Sequence, residues 1–412
     1  MAISVCLLTL ISFVALEHEN PFSSTVEKYL VEGKLEKGKT VLEAAIAKDK
    51  NNHQLKFELG VLRFVQSVEK LGQEIYEVAP RRDWPMNEIP FFRLPVPKNP
   101  NPKAVEYSDL RKIIQRFVDD LSDVDKILSE VSDDNVKISL PIMDIKMDLD
   151  RNGTATQEER LEPILNMYLG NRGRGSEEDD PRIVFDRADV AWLRGYCCLL
   201  RSLGETSLAY DQELLWNTVG HRLFTRGIVA DEFLREENAR VQENQFMNVN
   251  VIADLIAGIH NCRFEIKEPK RLIQAHKYLL EMIGHSRQMW EFAQAETDNN
   301  LEWIPSPSQD NPYARARVTE EMLDSWDEFL HELELLLNGE KLIPFWRGTN
   351  PKRGVNLKKM FYKPANLDIV LCIQGTGMKP YLEIGDCTSE QTWREFQRVF
   401  RGNFFGFAIW FN

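Results

Sequence analysis

The chain has no cationic excess. Its 412 residues carry 51 Lys and Arg against 64 Asp and Glu, a net charge of −13. Phosphate recognition needs a basic stripe, so nucleic acid is not expected as a partner. Cysteine is scarce, six in all, with no CxxC and no zinc spacing, so no disulfide framework organises the fold. Cys197 and Cys198 are neighbours in a helical pattern and read as small buried hydrophobes. Cys372 and Cys387 flank a Gly-rich turn and would pair only in an oxidising compartment. None of the seven histidines falls in an H-x3-H or HExxH spacing, and His331-Glu332 continues as Leu-Glu-Leu. No G-x-S-x-G elbow, kinase signature or dinucleotide loop is present. The segment Gly170-Asn-Arg-Gly-Arg-Gly-Ser176 lacks the Gly-Lys-Ser/Thr ending of a phosphate-binding loop. A hydrolase-type enzyme is left open only as a site of scattered residues, which leaves no motif. Long apolar runs are missing too: beyond residues 2–16 no stretch suffices to span a membrane.

What is present is ordinary in bulk: 43% hydrophobic and 28% charged residues, the balance of a globular protein with two or three domains. The uncharged apolar run 2–16, ended by Glu17, has the length of a secretory h-region. No Lys or Arg precedes it, and Phe13-Val14-Ala15 stands in for the cleavage site. Residues 1–16 are therefore expected to be a signal peptide, which makes the protein exported, periplasmic or extracellular, with no stable membrane span once it is removed. A buried N-terminal helix is the alternative.

Twelve residues stand out: Asp148-Leu-Asp150-Arg-Asn152-Gly153-Thr154-Ala-Thr156-Gln-Glu-Glu159. They match D-x-[DN]-x-[DN]-G-x5-E at every defined position and resemble the EF-hand calcium loop. Ca2+ takes six to eight hard oxygen ligands, and a wound loop offers them from alternate positions. The resemblance assigns side-chain oxygens to Asp148, Asp150 and Asn152 and the backbone carbonyl to Thr154. Thr156 would act directly or through water, and Glu159 would close the shell with both carboxylate oxygens. Gly153 sits at the sharp turn. Three acidic ligands and an extracellular setting imply a dissociation constant of roughly 0.1–1 mM.

The flanks are unusual for an EF-hand. Asp133-Asp134-Asn135 breaks the preceding helix and Pro141 blocks a new one, so only Ile142 to Met147 remain for the incoming helix. The outgoing helix is expected over Glu158 to Leu169, with Pro163 tolerable only near its first turn. EF-hands pair through a β-branched residue at the loop's eighth position; here that residue is Ala155, and no second loop matches. The loop reads as solitary and embedded rather than as half of a sensor.

Residues 32–60 resemble one and a half tetratricopeptide units, with Gly33, Gly38, Leu42, Ala45 and Leu59-Gly60 at the repeat's turn and packing positions. This implies either a peptide-binding groove or a helical pair that caps the next domain. Seven prolines within 80–102 make that segment extended, and Trp84, Phe91 and Phe92 suit it to lie across a packed surface. A long helix is expected from an N-cap at Ser108 to Val131, then further helices over about 186–200, 208–225, 247–264, 269–296 and 319–337. Asp186 and Asp189 at a helix start offer a carboxylate pair, support for the calcium ligands, or simple capping. Trp303-Ile-Pro-Ser-Pro-Ser-Gln309, with Arg315 and Arg317, reads as a polar pocket wall or a connection between helices. After residue 340, Leu367–Gln374, Lys379–Ile384 and Phe404–Phe411 read as strands and Thr388–Arg401 as a helix.

The expected fold is mainly α: a multi-helix bundle with a repeat-like N-terminal hairpin (17–79), a Pro-rich covering segment (80–104) and a helical core (105–340) bearing the loop 148–159. A small α+β unit (341–412) completes it. The whole has a faint similarity to uncharacterised bacterial exported proteins with one such loop in a helical body, a resemblance that supplies no activity. The functional expectation is calcium binding that stabilises the fold. The alternatives are an interaction scaffold with an unknown protein partner, built on the repeat-like helices, and an enzyme of unrecognised type.

Overall fold

A computed structural model describes residues 24–81, 94–169, 182–240, 249–309, 317–402, 404, 407 and 408. The expected signal segment, the Gly170–Ser176 turn, Trp84, Phe91, Phe92 and Arg315 lie outside these. The protein is mainly helical, as its periodicity demanded. A short helix α1 (Glu27–Val31) leads into α2 (Leu35–Lys48) and α3 (His53–Val78), then α4 (Tyr107–Ser129). After a small β-ribbon come α5 (Glu162–Leu169), α6 (Arg187–Ala209), α7 (Glu213–Leu223), α8 (Glu232–Arg240) and α9 (Val249–His260). The long α10 (Pro269–Ala295) and α11 (Glu320–Leu337) complete the bundle.

Packing runs in sequence order: α2 lies on α3, α3 on α4, α4 on α6 and α6 along most of α10. One continuous apolar core joins them, from Leu30 and Leu42 through Leu62, Phe117 and Leu121 to Cys197, Met289 and Trp326. Cys197 and Cys198 are buried in it as small hydrophobes. The α4 helix shows the pattern that produces this arrangement. Ile113, Ile114, Phe117, Val118, Leu121, Val124 and Leu128 are buried on one stripe. Its start lies two residues before the expected cap: Glu106 accepts from the first turn while Asp109 Oδ2 accepts the Glu106 N–H at 3.1 Å.

Three small antiparallel sheets punctuate the helices. The first pairs β1 (Ile138–Leu140) with β2 (Ile183–Phe185), Ser139 opposite Val184. The second joins β3 (Tyr210–Asp211), β4 (Arg263–Ile266) and β7 (Leu367–Asp368). The third joins β5 (Ile343–Pro344), β6 (Arg353–Val355) and β8 (Leu382–Ile384) beside α12 (Leu357–Tyr362), giving the expected C-terminal α+β unit its own apolar cluster of Val355, Met378 and Tyr381.

Two expected strands in that unit are helical. Only Leu367 and Asp368 extend; Asp368 then accepts the Leu371 N–H at 2.8 Å, caps α13 (Ile369–Gln374), and Gly375 at φ +108° ends it. The described part of the terminal aromatic run, Phe404, Phe407 and Ala408, is likewise helical. Phe404 and Phe407, three apart, both face Trp326, with ring centroids 6.1 and 5.3 Å away. The helix α14 (Glu390–Val399) precedes them. Cys372 and Cys387 are both free thiols. No described helix is long and apolar enough to cross a membrane.

Candidate cation sites

The loop 148–159 is built without the helices that normally flank an EF-hand. Proline at 141 and the ribbon before it leave only a 3-10 turn, Ile142–Asp144, on the incoming side. A second 3-10 turn, Gln157–Glu159, precedes α5, where Pro163 is the second residue. The chain instead closes the loop as a β-bridge: Lys146 pairs with Arg160, the Met147 N–H donates to Glu159 O at 3.1 Å and Leu161 N–H to Ile145 O at 2.8 Å.

Inside that closure three of the six expected ligands, Asp148, Asp150 and Glu159, bring oxygens together, while Asn152, Thr154 and Thr156 hydrogen-bond within the loop. Glu159 is buried, with Oε1 accepting the Leu149 and Asp150 N–H groups at 2.8 and 3.2 Å. Its Oε2 accepts both the N–H and the hydroxyl of Thr156, each at 2.9 Å. Asp148 accepts from Asn152 N–H at 3.0 Å and Gly153 N–H at 2.9 Å. Asp150 accepts the Asn152 N–H at 3.0 Å and its amide at 2.9 Å, and Asn152 Oδ1 accepts from Thr154 N–H at 2.9 Å. Gly153 takes φ +89°, the left-handed conformation its position demands. One carboxylate oxygen each from Asp148, Asp150 and Glu159 lie within 4.8 Å of one another. Ligands 2.3–2.6 Å from a single Ca2+ are at most about 5 Å apart, so these oxygens fit one ion. Every donor is oxygen, the choice of a hard cation.

The seat of the loop is a stripe on α3 that the sequence reading did not single out. Glu69, Gln73 and Glu77 recur every fourth residue, one face of a helix. Glu69 Oε1 accepts the Asp148 N–H at 2.8 Å, Gln73 donates to Asp148 O at 2.8 Å, and Glu77 pairs with Arg151 at 2.9 Å. Burial, reinforced by the charges of Asp148 and Glu159, pushes the Glu69 carboxyl up to about 7; burial also raises Asp148. Leu149 packs beside Gly72, where a Cβ would stand 2.5 Å from Leu149 Cδ2. Ala155, at the position that pairs EF-hands, meets the turn between α1 and α2. A Cβ on Gly33 would lie 2.2 Å from Ala155 Cβ, and the Lys146 N–H donates to Leu30 O at 3.0 Å.

Asp186 and Asp189 are not with this loop. They cap α6 reciprocally, Asp186 Oδ1 accepting the Ala188 N–H and Asp189 Oδ2 the Asp186 N–H, both at 2.9 Å. There they meet Glu296 and Glu302 from the connection after α10; oxygens of Asp186, Glu296 and Glu302 lie within 4.8 Å of one another. No protein family model, curated protein or solved structure matches the chain. The functional reading therefore rests on these two constellations.

Around the second of them, Gln309 donates to Glu296 Oε2 at 2.9 Å and accepts from Ser306 N–H at 2.8 Å. Trp303 packs against Phe185 and Trp192, at 5.8 and 5.7 Å between centroids. The segment 303–309 is a connection between α10 and α11, the second of the two expected readings, and its Gln309 faces this acidic cluster; Arg317 donates to Pro307 O at 3.0 Å. Burial, then the neighbouring Asp186, pushes Glu296 up to about 8 and Glu302 up to about 7. Two surface concavities, one lined by Trp290, Leu323, Trp326 and Leu330 and one by Asp125, Arg194, Glu281 and His285, include no residue of either constellation.

Proposed function

We propose that the loop 148–159 binds one Ca2+ and that the ion is a structural staple between the N-terminal hairpin and the helical core. The observation that carries this is the convergence of Asp148, Asp150 and Glu159 oxygens within 4.8 Å inside a loop already wound by its own N–H groups. Each carboxylate oxygen of Asp148 and Asp150 accepts one donor and keeps a lone pair for the ion, whereas each Glu159 oxygen accepts two, so an ion would take Glu159 Oε2 by displacing the Thr156 hydroxyl. Four acidic groups, counting Glu69, repel one another at the junction of α3, the loop and the α1–α2 turn. A divalent cation removes that repulsion and thereby favours the contact of Ala155 with Gly33. A dissociation constant of roughly 0.1–1 mM fills the site only where calcium is millimolar, which accords with export.

Calorimetric titration of chelator-stripped full-length protein with Ca2+ tests it. A binding event with a dissociation constant of roughly 0.1–1 mM should be present in wild type and lost in Glu159→Gln, whatever ion the protein holds elsewhere. Asp150→Asn, which keeps an acceptor for the Asn152 N–H, should weaken it at least tenfold. Identical isotherms for wild type and both variants would sink the reading.

The interaction-scaffold reading draws support from a surface other than the repeat-like helices. On α9, Val249, Ile252, Leu255, Ile256 and Ile259 are exposed, between 40 and 76%. If that face binds protein, Ile252→Lys with Ile256→Lys should abolish any concentration-dependent increase in sedimentation coefficient; an unchanged monomer in both chains would remove this support.

A further inference from the structure

We propose that Asp186, Asp189, Glu296 and Glu302 form a second, buried site for a hard divalent cation, which fastens the 296–309 connection over the start of α6. The cluster has only oxygen donors, and three of its carboxylates already stand within the span of one coordination sphere. Helix capping explains only half of the two aspartates. It uses Oδ1 of Asp186 and Oδ2 of Asp189, whereas Asp189 Oδ1 is buried with no hydrogen-bond partner among the described residues. Asp189 is 3% exposed, and the charges acting on it are those of Asp186, Glu302 and Glu296, so the unused oxygen sits within their field. A buried carboxylate oxygen without a donor is costly, and a cation held by Asp186, Glu296 and Glu302 would be a partner for Asp189 Oδ1 beside them.

The neighbouring charge does not discharge the cluster. Lys137 pairs with Asp298 at its margin, and Asp298 is also bound by the Asn300 amide. Among the described residues, the one ammonium placed there is thus outnumbered by the carboxyl groups beside it. Asp186, Glu296 and Glu302 bring oxygens within 4.8 Å of one another, so the cluster holds its charge at close quarters. A divalent ion would offset that charge. Gln309, held by Ser306 N–H and reaching Asp298 O at 3.0 Å, adds an amide beside the site. Leu301, at φ +65°, turns the chain so that Glu302 faces inward while Leu301 itself is exposed.

The site is separable from the loop 148–159 because the two share no residue. Full-length Glu159→Gln, stripped with chelator and dialysed against Ca2+ or against Mg2+, should retain one equivalent of ion by elemental analysis. Adding Glu302→Gln should remove it, and adding Asp189→Asn should weaken it at least tenfold, with circular dichroism confirming the helical fold. Tb3+ is the second probe. Trp303 follows Glu302 directly, so excitation at tryptophan should sensitise Tb3+ emission in the Glu159→Gln protein, and Trp303→Phe should reduce it severalfold. No retained ion and no sensitised emission in folded Glu159→Gln would overturn the proposal, leaving the cluster a set of closely spaced acids. So would an ion retained equally with and without Glu302→Gln and Asp189→Asn. Loss of the loop site alone would leave the Glu159→Gln result unchanged from wild type, so failure of the first reading is distinguishable from failure of this one.

Discussion

At Gly33 the residue scale decides how the loop meets the hairpin. Its φ of +65° disfavours any side chain, and a Cβ there would overlap Ala155. Gly33→Ala should cost roughly 1–3 kcal/mol in urea unfolding, and it should weaken calcium binding because it pushes the loop's eighth residue away. Gly284 is the control: it lies within α10, takes no left-handed φ and has open space where a Cβ would go, so Gly284→Ala should stabilise by about 0.4–1 kcal/mol. A destabilised Gly284→Ala or a silent Gly33→Ala would contradict the packing described. His285 offers a pH test. Burial, then the Arg194 charge, holds its imidazole down at about 4 against an ordinary value of 6.5. The unfolded chain therefore takes up a proton below pH 6.5 that the folded protein refuses until about pH 4. Stability from this residue is intact above pH 6.5 and falls toward pH 4. In His285→Gln the decline between pH 7 and pH 4.5 should be shallower than in wild type; parallel curves would show that His285 does not contribute.

At the scale of elements, three helices meet at one buried guanidinium. Arg201 of α6 reaches Asp125 and Ser122 of α4 at 3.2 and 3.3 Å and Tyr278 of α10 at 2.5 Å, with its guanidinium 4.0 Å from the Tyr278 ring centre. Asp125→Ala would leave that charge buried without its counter-ion and should cost about 3–5 kcal/mol in urea unfolding. A cost below about 1 kcal/mol would mean the network is not holding the helices. Such pairings were not legible in the sequence, because partners 76 residues apart leave no local pattern. The helices themselves were legible, since burial on α4, α6 and α10 follows the 3.6-residue period that the apolar residues display. The run 367–374 was misread because a short apolar segment has no period long enough to separate strand from helix; Asp368 as cap and Gly375 as stop decide it. The six candidate oxygen donors of the loop were readable as a set because all lie within twelve residues. Glu69 and Gln73 were not, being a half-buried polar stripe on an otherwise amphipathic helix, and Glu296 and Glu302 sit in a connection with no period at all.

Over the whole molecule, both proposed cations lie where the chain changes direction around the β1–β2 ribbon, rather than inside the helical core. The loop ion would bind the hairpin to the core, and the cluster ion the α10–α11 connection to α6. Calcium at about 1 mM should raise stability by roughly 0.4–1.4 kcal/mol for the loop alone, following RT ln(1 + [L]/Kd), and chelator should reverse it. Hydrogen exchange locates that gain. In wild type, calcium should slow exchange together in peptides covering residues 28–36 and 144–161, roughly 2- to 11-fold at about 1 mM if local opening releases the ion. In Glu159→Gln neither peptide should respond. Slowing confined to 144–161, with 28–36 indifferent to calcium, would contradict the staple and leave the loop a binding site that holds nothing but its ion.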